Sequence, residues 1–149
     1  MRQQVDFEAI RHAKARYVRG VDTNDAELVR GMLAEDCVLD YTDCFVDPSS
    51  GDDFFPAMSI IVRGRDAWRG GGLRDHGIVT VHQTFDFEID VDGDAARSVC
   101  GMTDRLFMPE GSPDRVLVGY GHYHETWRRV EGAWRLHTLR LTRLKVETR

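Results

Sequence analysis

Residues 116–146 read VLVGYGHYHETWRRVEGAWRLHTLRLTRLKV, and the fold can be predicted outward from this segment. It contains two strand-length segments on either side of Glu131-Gly132, a dipeptide typical of a turn. Upstream, a segment of alternating apolar and polar side chains ends at Asp92-Gly93, which strongly favours a hairpin. The sequence therefore predicts four long antiparallel strands joined by hairpins. These are residues 78–91, 95–107, 116–130 and 134–146.

Helical patterns precede the strands. Apolar side chains recur every three or four positions over residues 6–21, which indicates a helix with one buried face. Asp22 lies at its end, and Asn24 or Asp25 can cap a second short helix that contains residues 28–33. The remaining predicted elements are a short strand at 37–41 and a third short helix at 64–68, closed by the glycines at 70–72.

Helices followed by a run of antiparallel strands predict an α+β fold. We expect a curled antiparallel sheet with the N-terminal helices packed over one face. Because the sheet curls into a cone, its concave face and the helices enclose a pocket. A chain of 149 residues has room for one core plus one ligand cavity, so residues 1–149 are predicted to be a single domain.

Composition narrows the class of protein. The formal net charge of −5 gives no global support for a nucleic-acid partner. No apolar run approaches membrane-spanning length and the first ten residues carry no signal-peptide core, so we expect a cytoplasmic protein without a membrane partner. The three cysteines, Cys37, Cys44 and Cys100, lack C-x-x-C spacing and suggest neither a disulfide framework nor a zinc site.

The segment 43–59 is predicted to be a long loop. It is rich in Asp, Pro, Ser and Gly, yet it also carries Phe54, Phe55 and Met58. Long loops with apolar groups of their own often act as lids. Packing of these side chains on another subunit is the alternative, and the sequence leaves both open.

Histidines in the strands are the main candidates for chemistry. His122 and His124 share one face of their strand because side chains alternate with a period of two, and His82 lies in another central strand. An imidazole titrates near neutrality, so it can take and return a proton within one catalytic cycle. For any single histidine, a hydrogen-bonded structural role is the alternative.

Three further side chains could complete a site. A buried carboxylate such as Asp22 could fix the tautomer of a histidine and stabilise its imidazolium form. Tyr17 and Tyr41 could donate hydrogen bonds to a substrate carbonyl that gains negative charge.

The His-x-His spacing also raises the question of a metal, since it can supply two ligands from one strand. The metal-binding cupins follow that pair closely with a Glu. Here Arg128 and Arg129 stand where that Glu is wanted. We therefore expect no metal site.

Several segments together resemble SnoaL-like proteins of the nuclear-transport-factor-2-like superfamily. The matching segments are RYVRGVD (16–22), LAEDCV (33–38), GRDA (64–67), GHYHE (121–125) and RRVEGAWR (128–135). The resemblance covers residues 7–145 and implies a cystatin-like, NTF2-like cone fold.

Within that superfamily the chain looks most similar to the scytalone dehydratase branch, in which an Asp at the end of the first helix and two strand histidines form the catalytic centre. The resemblance implies that Asp22, His82 and His124 are catalytic. Tyr41 falls near a tyrosine that binds the substrate oxygen in that branch. Related dehydrochlorinases and bile-acid dehydratases use an Asp–His pair, which matches Asp22 and His82.

The function that follows is a lyase of the dehydratase kind that needs no cofactor and acts on a small hydrophobic hydroxylated or carbonyl compound. His82 would remove a proton with help from Asp22, and His124 would orient the pair or protonate the departing hydroxyl. The expected substrate-binding residues are Tyr17, Tyr41 and His122. The alternatives are an isomerase or polyketide cyclase on the same pocket, and a non-catalytic ligand-binding module.

The outer face of such a cone is exposed, and an apolar patch there would favour self-association. Phe85, Phe87, Tyr123 and Trp127 are candidates for that patch. We therefore expect a homo-oligomer, either a dimer or a trimer.

Overall fold

Six strands form one curled, unclosed sheet in a computed structural model of the chain, which describes residues 1–70 and 72–149. The strands are β1 (Leu33–Asp40), β2 (Ile61–Arg63), β3 (Val79–Asp92), β4 (Ala95–Phe107), β5 (Val116–Val130) and β6 (Ala133–Thr148). Their order across the sheet is β2-β1-β6-β5-β4-β3. The four long strands β3 to β6 are confirmed, and so is the α+β fold class.

The helices are α1 (Arg2–Asp22), α2 (Ala26–Met32) and α3 (Gly72–Asp75). Helix α1 begins earlier than its apolar pattern indicates because its first turn is exposed and carries no buried face. Asp25 caps α2, since its Oδ1 accepts a hydrogen bond from the N–H of Leu28 at 3.0 Å. No helix in the described part of the chain combines the length and the hydropathy that a membrane span needs.

The segment around Gly64 differs from the prediction. In place of a third helix it forms one 3-10 turn at Arg65–Ala67, directly after the three-residue strand β2. A strand this short leaves no periodic pattern to detect. The predicted closure of that helix by the glycines at 70–72 includes Gly71, which lies outside the described residues.

Strand β1 gives the sheet its parallel pair. Val38, Leu39 and Asp40 pair in parallel with Thr138, Leu139 and Arg140 of β6, and the same residues pair antiparallel with β2. Because β1 comes early in the chain and β6 comes last, this pairing joins the N-terminal strands β1 and β2 to the edge of the four-stranded meander. The remaining ladders, β3 with β4, β4 with β5 and β5 with β6, are antiparallel hairpins.

Register determines which side of each strand faces the helices. His82 pairs with Asp104, and Asp104 pairs with Gly119, so these three residues share the concave face. The odd-numbered residues of β5 therefore point inward, and Tyr123 and Trp127 are buried in the core with α1. The prediction that Tyr123 and Trp127 belong to an exposed outer patch is wrong.

The outer face of the sheet does carry exposed apolar side chains. Phe85 is 44% exposed and Leu144 is 65% exposed. Phe87, in contrast, is half-buried and packs against the core. The expected dimer or trimer stays a prediction.

The loop 43–59 packs on its own chain. Cys44 and Phe45 belong to the core, and the buried Asp47 accepts hydrogen bonds from the N–H of Val146 at 3.1 Å and from Nζ of Lys145 at 3.0 Å. Three apolar side chains further along the loop are half-buried against the same core: Phe54, Phe55 and Met58. The loop therefore forms one wall of the pocket.

Candidate active site

A cavity of about 320 Å³ lies between the concave face of the sheet, the end of α1 and the loop 43–59. Its wall is mostly apolar, with contributions from Val21, Phe45, Met58, Trp68, Leu73 and Leu141. The polar side chains in the wall include Tyr17, Tyr41, His82, Asp104 and Arg143. An apolar pocket with a few convergent polar groups is the usual form of a small-molecule site.

Asp22 and His82 form a hydrogen-bonded pair beside this cavity, and His82 belongs to its wall. Asp22 is the last residue of α1, which packs against β3. Its Oδ1 lies 2.6 Å from Nδ1 of His82, and its Oδ2 accepts a hydrogen bond from the backbone N–H of His82 at 2.8 Å. Thr80 donates to Asp22 Oδ1 at 2.9 Å, and Arg74 donates to the backbone oxygen of Asp22 at 2.8 Å. The structure thus brings these two predicted site residues together in a fixed orientation.

The contact also determines the tautomer of the imidazole. An ionised carboxylate only accepts hydrogen bonds, so Nδ1 of His82 carries the hydrogen that points at Asp22. In a neutral ring, Nε2 then holds the free lone pair. Nε2 is therefore the atom of His82 that can take up a proton.

Asp104 lies on the other side of the imidazole. Its Oδ2 is 3.9 Å from Nε2 of His82, too far for a hydrogen bond but close enough for electrostatic attraction to a protonated ring. Arg143 binds the Asp104 carboxylate through both oxygens, at 2.8 and 3.0 Å, and the two side chains are 2% and 3% exposed. Arg143 also donates to the backbone oxygen of Cys44, so the ion pair connects the sheet to the loop 43–59.

The sequence reasoning missed Asp104 and Arg143. Gly119 could have indicated them, since a glycine inside a long strand often marks a close approach of other groups. A Cβ at Gly119 would overlap the Asp104 carboxylate and the Arg143 guanidinium. Gly121 is equally constrained, since a Cβ there would overlap the backbone oxygen of Thr142.

Tyr17 and Tyr41 donate and accept through their hydroxyl groups, which are hydrogen-bonded to each other. Burial raises the pKa of both tyrosines, so both hydroxyls are protonated at neutral pH. The pair holds two O–H hydrogens and uses one internally. The other hydrogen is available to a ligand oxygen.

A fully buried ion pair between Lys14 and Glu125 supports the tyrosines from the core. Nζ of Lys14 lies 4.5 Å from the ring centroid of Tyr17 and 3.4 Å from that of Tyr123. Glu125 is satisfied further by Ser98, whose hydroxyl donates to Oε2 at 3.1 Å. The position of Tyr17 thus depends on a charge pair beneath the site.

The prediction that His122 and His124 line the pocket is wrong. Both occupy even-numbered positions of β5 and lie on the outer face of the sheet, where their ring centroids are 6.3 Å apart. His124 is exposed and its Nε2 lies 3.0 Å from the hydroxyl of Thr142. The larger side chains of Tyr123 and Trp127 occupy the inner face. Their burial determines that the odd-numbered residues of β5 point inward and the even-numbered ones outward.

No group of three or more His, Cys, Asp or Glu side chains within residues 1–70 and 72–149 is arranged to hold a metal ion.

The family model of the SnoaL-like domain matches residues 3–140, which is most of the chain. The chain belongs to the SnoaL-like domain family. No curated protein matches this SnoaL-like domain significantly.

Solved structures share the fold of this SnoaL-like domain. A protein of unknown function from Mycobacterium tuberculosis is 25% identical with a TM-score of 0.71, over 95% of this chain and 73% of that one. A candidate scytalone dehydratase from Novosphingobium aromaticivorans DSM 12444 is 20% identical with a TM-score of 0.73, over 99% and 89%. A type 3 hexachlorocyclohexane dehydrochlorinase from Novosphingobium barchaimii LL02 is 12% identical with a TM-score of 0.75, over 99% and 92%.

The arrangement is suited to moving a proton in an apolar environment. It offers a base with a fixed tautomer in His82, two carboxylates that flank the imidazole and a pair of protonated tyrosines. Such groups act more strongly on developing charge when apolar walls exclude water.

Proposed function

We propose that this SnoaL-like domain is a lyase of the dehydratase kind that acts without a cofactor on a small hydrophobic hydroxylated carbonyl compound. The observation that carries the proposal is the contact of 2.6 Å between Asp22 Oδ1 and Nδ1 of His82, which lies in the wall of a mostly apolar cavity. Two solved structures of the same fold bear dehydratase and dehydrochlorinase names, which supports elimination chemistry as a class.

The first step is removal of a proton from the carbon next to the substrate carbonyl. Nε2 of His82 takes the proton, and the electron pair of the C–H bond moves onto the carbonyl oxygen to give an enolate. The hydroxyls of Tyr17 and Tyr41 stabilise that oxygen because one of their hydrogens is free to donate. Asp22 stabilises the imidazolium that forms.

The second step is loss of the hydroxyl group from the adjacent carbon. The enolate electrons form the new C=C bond, the C–O bond breaks, and the imidazolium of His82 returns its proton to the departing oxygen. The products are an unsaturated carbonyl compound and one water, and the enzyme is restored. His82 performs both transfers here, since His124 lies outside the pocket.

Asp104 is a positioning residue in this scheme. When Nε2 of His82 is protonated, the ring lies between two carboxylates, Asp22 at 2.6 Å and Asp104 at 3.9 Å. Arg143 orients the Asp104 carboxylate by binding both of its oxygens. The arrangement limits movement of the ring.

An isomerase is the second candidate, and one observation favours it. His82 is the only histidine in the wall of the cavity formed by the described residues, so a single group would both remove and return the proton. A single base that returns the proton to a different carbon catalyses isomerisation without loss of water. The product mass separates the two reactions.

The test is a turnover screen by mass spectrometry against hydroxylated aromatic and polyketide-like ketones. A product lighter by one water supports the dehydratase, and an unchanged mass with a changed NMR spectrum supports the isomerase. His82→Gln should lower turnover by about 10²–10⁴-fold, while His124→Gln is the matched control. Full activity in His82→Gln, or binding without any chemical change, would contradict a catalytic role.

A further inference from the structure

Two arginines lie at the mouth of the cavity. Arg69 and Arg74 both line it and both are exposed, on the segment that follows Trp68 and leads into β3. Arg74 is oriented by its hydrogen bond of 2.8 Å to the backbone oxygen of Asp22. That bond uses one guanidinium hydrogen, and the others stay available to a ligand.

These two cations differ from the charges deeper in the cavity. Inside, Asp22 contacts His82, and Arg143 is bound by both oxygens of Asp104. At the mouth, neither arginine forms a salt bridge with any residue in 1–70 or 72–149. Among the described residues, Asp104 contributes the only carboxylate of the cavity wall, and Arg143 already binds it.

The positive mouth is a local feature. The chain as a whole carries a formal net charge of −5, so its overall field repels anions. Two unpaired guanidinium groups beside an apolar cavity therefore favour a ligand with one negative end. The cavity, at about 320 Å³, lies at the small end of the range for ligand pockets and can hold a compact ring system.

We propose that the substrate of this site is an amphipathic anion, with an apolar body inside the cavity and a carboxylate or phosphate held at the mouth by Arg69 and Arg74. The inference rests on the proposed function only in taking this cavity as the substrate site. It adds the class of substrate and names two residues that determine specificity.

The experiment is isothermal titration calorimetry with three probes that share one ring system: 2-naphthol, 2-naphthoate and 2-naphthyl phosphate. Wild type is compared with Arg69→Gln, Arg74→Gln and the charge-retaining Arg69→Lys. Arg97→Gln is the matched control because Arg97 is an exposed arginine on the outer face of the sheet. His82→Gln is included to separate binding from chemistry.

We expect at least one anionic probe to bind about 10-fold or more tightly than 2-naphthol at low salt. Each glutamine variant at the mouth should weaken binding of the anionic probe by roughly 2- to 10-fold, with little effect on binding of 2-naphthol. Raised salt should weaken binding of the anionic probe further. Arg69→Lys should keep most of the preference, and Arg97→Gln all of it. The anionic probe that binds more tightly, 2-naphthoate or 2-naphthyl phosphate, identifies the charged group of the substrate as a carboxylate or a phosphate.

Equal or tighter binding of 2-naphthol would overturn the inference, and so would an anion preference that survives both mouth variants or a failure of all three probes to bind. The result for His82→Gln keeps the two proposals apart. An anion preference retained in His82→Gln supports the substrate class whatever the turnover screen finds. If only neutral ketones were turned over, the proposed lyase activity would be supported and the proposed anionic substrate class would be contradicted.

Discussion

Asp22 Oδ1 lies 2.6 Å from His82 Nδ1, at the point where α1 ends against β3. The same carboxylate accepts hydrogen bonds from the backbone N–H of His82 and from Thr80. Three donors therefore hold the Asp22 carboxylate in place. Two of them, the backbone N–H and the ring Nδ1, belong to His82, so the carboxylate and the imidazole orient each other.

Asp22→Asn should invert the tautomer of His82. The amide oxygen can accept the backbone N–H of His82, which leaves the amide NH₂ facing Nδ1 and moves the ring hydrogen to Nε2. Turnover should fall by about 10²–10⁴-fold because Nε2 no longer has a lone pair. Nitrogen-15 NMR of the histidines measures the tautomer without any substrate. An unchanged Nδ1–H tautomer in the folded variant would contradict this account.

His124→Gln should leave turnover within about 2-fold of wild type, because the side chain is on the outer face. The hydrogen bond to Thr142 is exposed, so its loss should change the free energy of unfolding by about 0.5 kcal/mol or less. Kinetics and urea unfolding of the same preparation measure both quantities. A loss of turnover above about 10-fold would place His124 back in the site.

Hairpins and helix ends could be predicted from the sequence because they depend on local residues. Both predicted hairpins form, with Gly93-Asp94 and Glu131-Gly132 as their turn residues, and Asp22 ends α1 as expected. A strand was predicted at 37–41, and β1 spans Leu33–Asp40. Its pairing with β6 could not be predicted, since β6 lies about a hundred residues away and no local pattern encodes a parallel pairing. The three-residue β2 carries no periodicity at all.

The parity of β5 is where the sequence interpretation of the site failed. His122 and His124 resemble pocket residues by type, but the energetics of burial favour Tyr123 and Trp127 on the concave face. Asp104 was overlooked because an isolated Asp in a strand gives no indication of a partner in another strand. Its pairing with Arg143 depends on register across three strands, which appears only in the folded sheet.

Gly119→Ala tests the space around the Asp104–Arg143 ion pair. The new Cβ would overlap both side chains, which are almost completely buried and cannot move into solvent. We expect a loss of about 1–3 kcal/mol in the free energy of unfolding. Gly31→Ala is the control, since nothing lies within 4 Å of a Cβ there. Equal stability of the two variants in urea unfolding would mean that the pair shifts freely.

Lys14→Met removes one partner of the buried ion pair with Glu125. Both side chains are 0% exposed, so the remaining carboxylate is left without a counter-charge in the core. We expect a loss of about 3–5 kcal/mol in the free energy of unfolding. The double variant Lys14→Met with Glu125→Leu should recover much of it. A single variant as stable as the double one would show that the pair carries no coupling.

Asp47→Asn should destabilise the fold in a pH-dependent way. The pKa of Asp47 is lowered well below its usual range, first by the Ser49 hydroxyl and then by the N–H of Val146, with Lys145 adding to the effect. A group whose pKa is lower in the folded state stabilises the protein above its unfolded pKa, near 4, and that contribution is lost as the pH falls through the folded value. The difference in free energy of unfolding between wild type and Asp47→Asn should therefore be largest at neutral pH. It should shrink steadily below about pH 4.

The measurement is urea unfolding of wild type and Asp47→Asn at pH 7, 5, 4 and 3. Asp52→Asn is the matched control, because Asp52 is an exposed carboxylate of the same loop. This variant should change the free energy of unfolding by no more than about 0.5 kcal/mol at every pH. A difference for Asp47→Asn that is constant between pH 7 and pH 3 would show that its charge does not stabilise the fold.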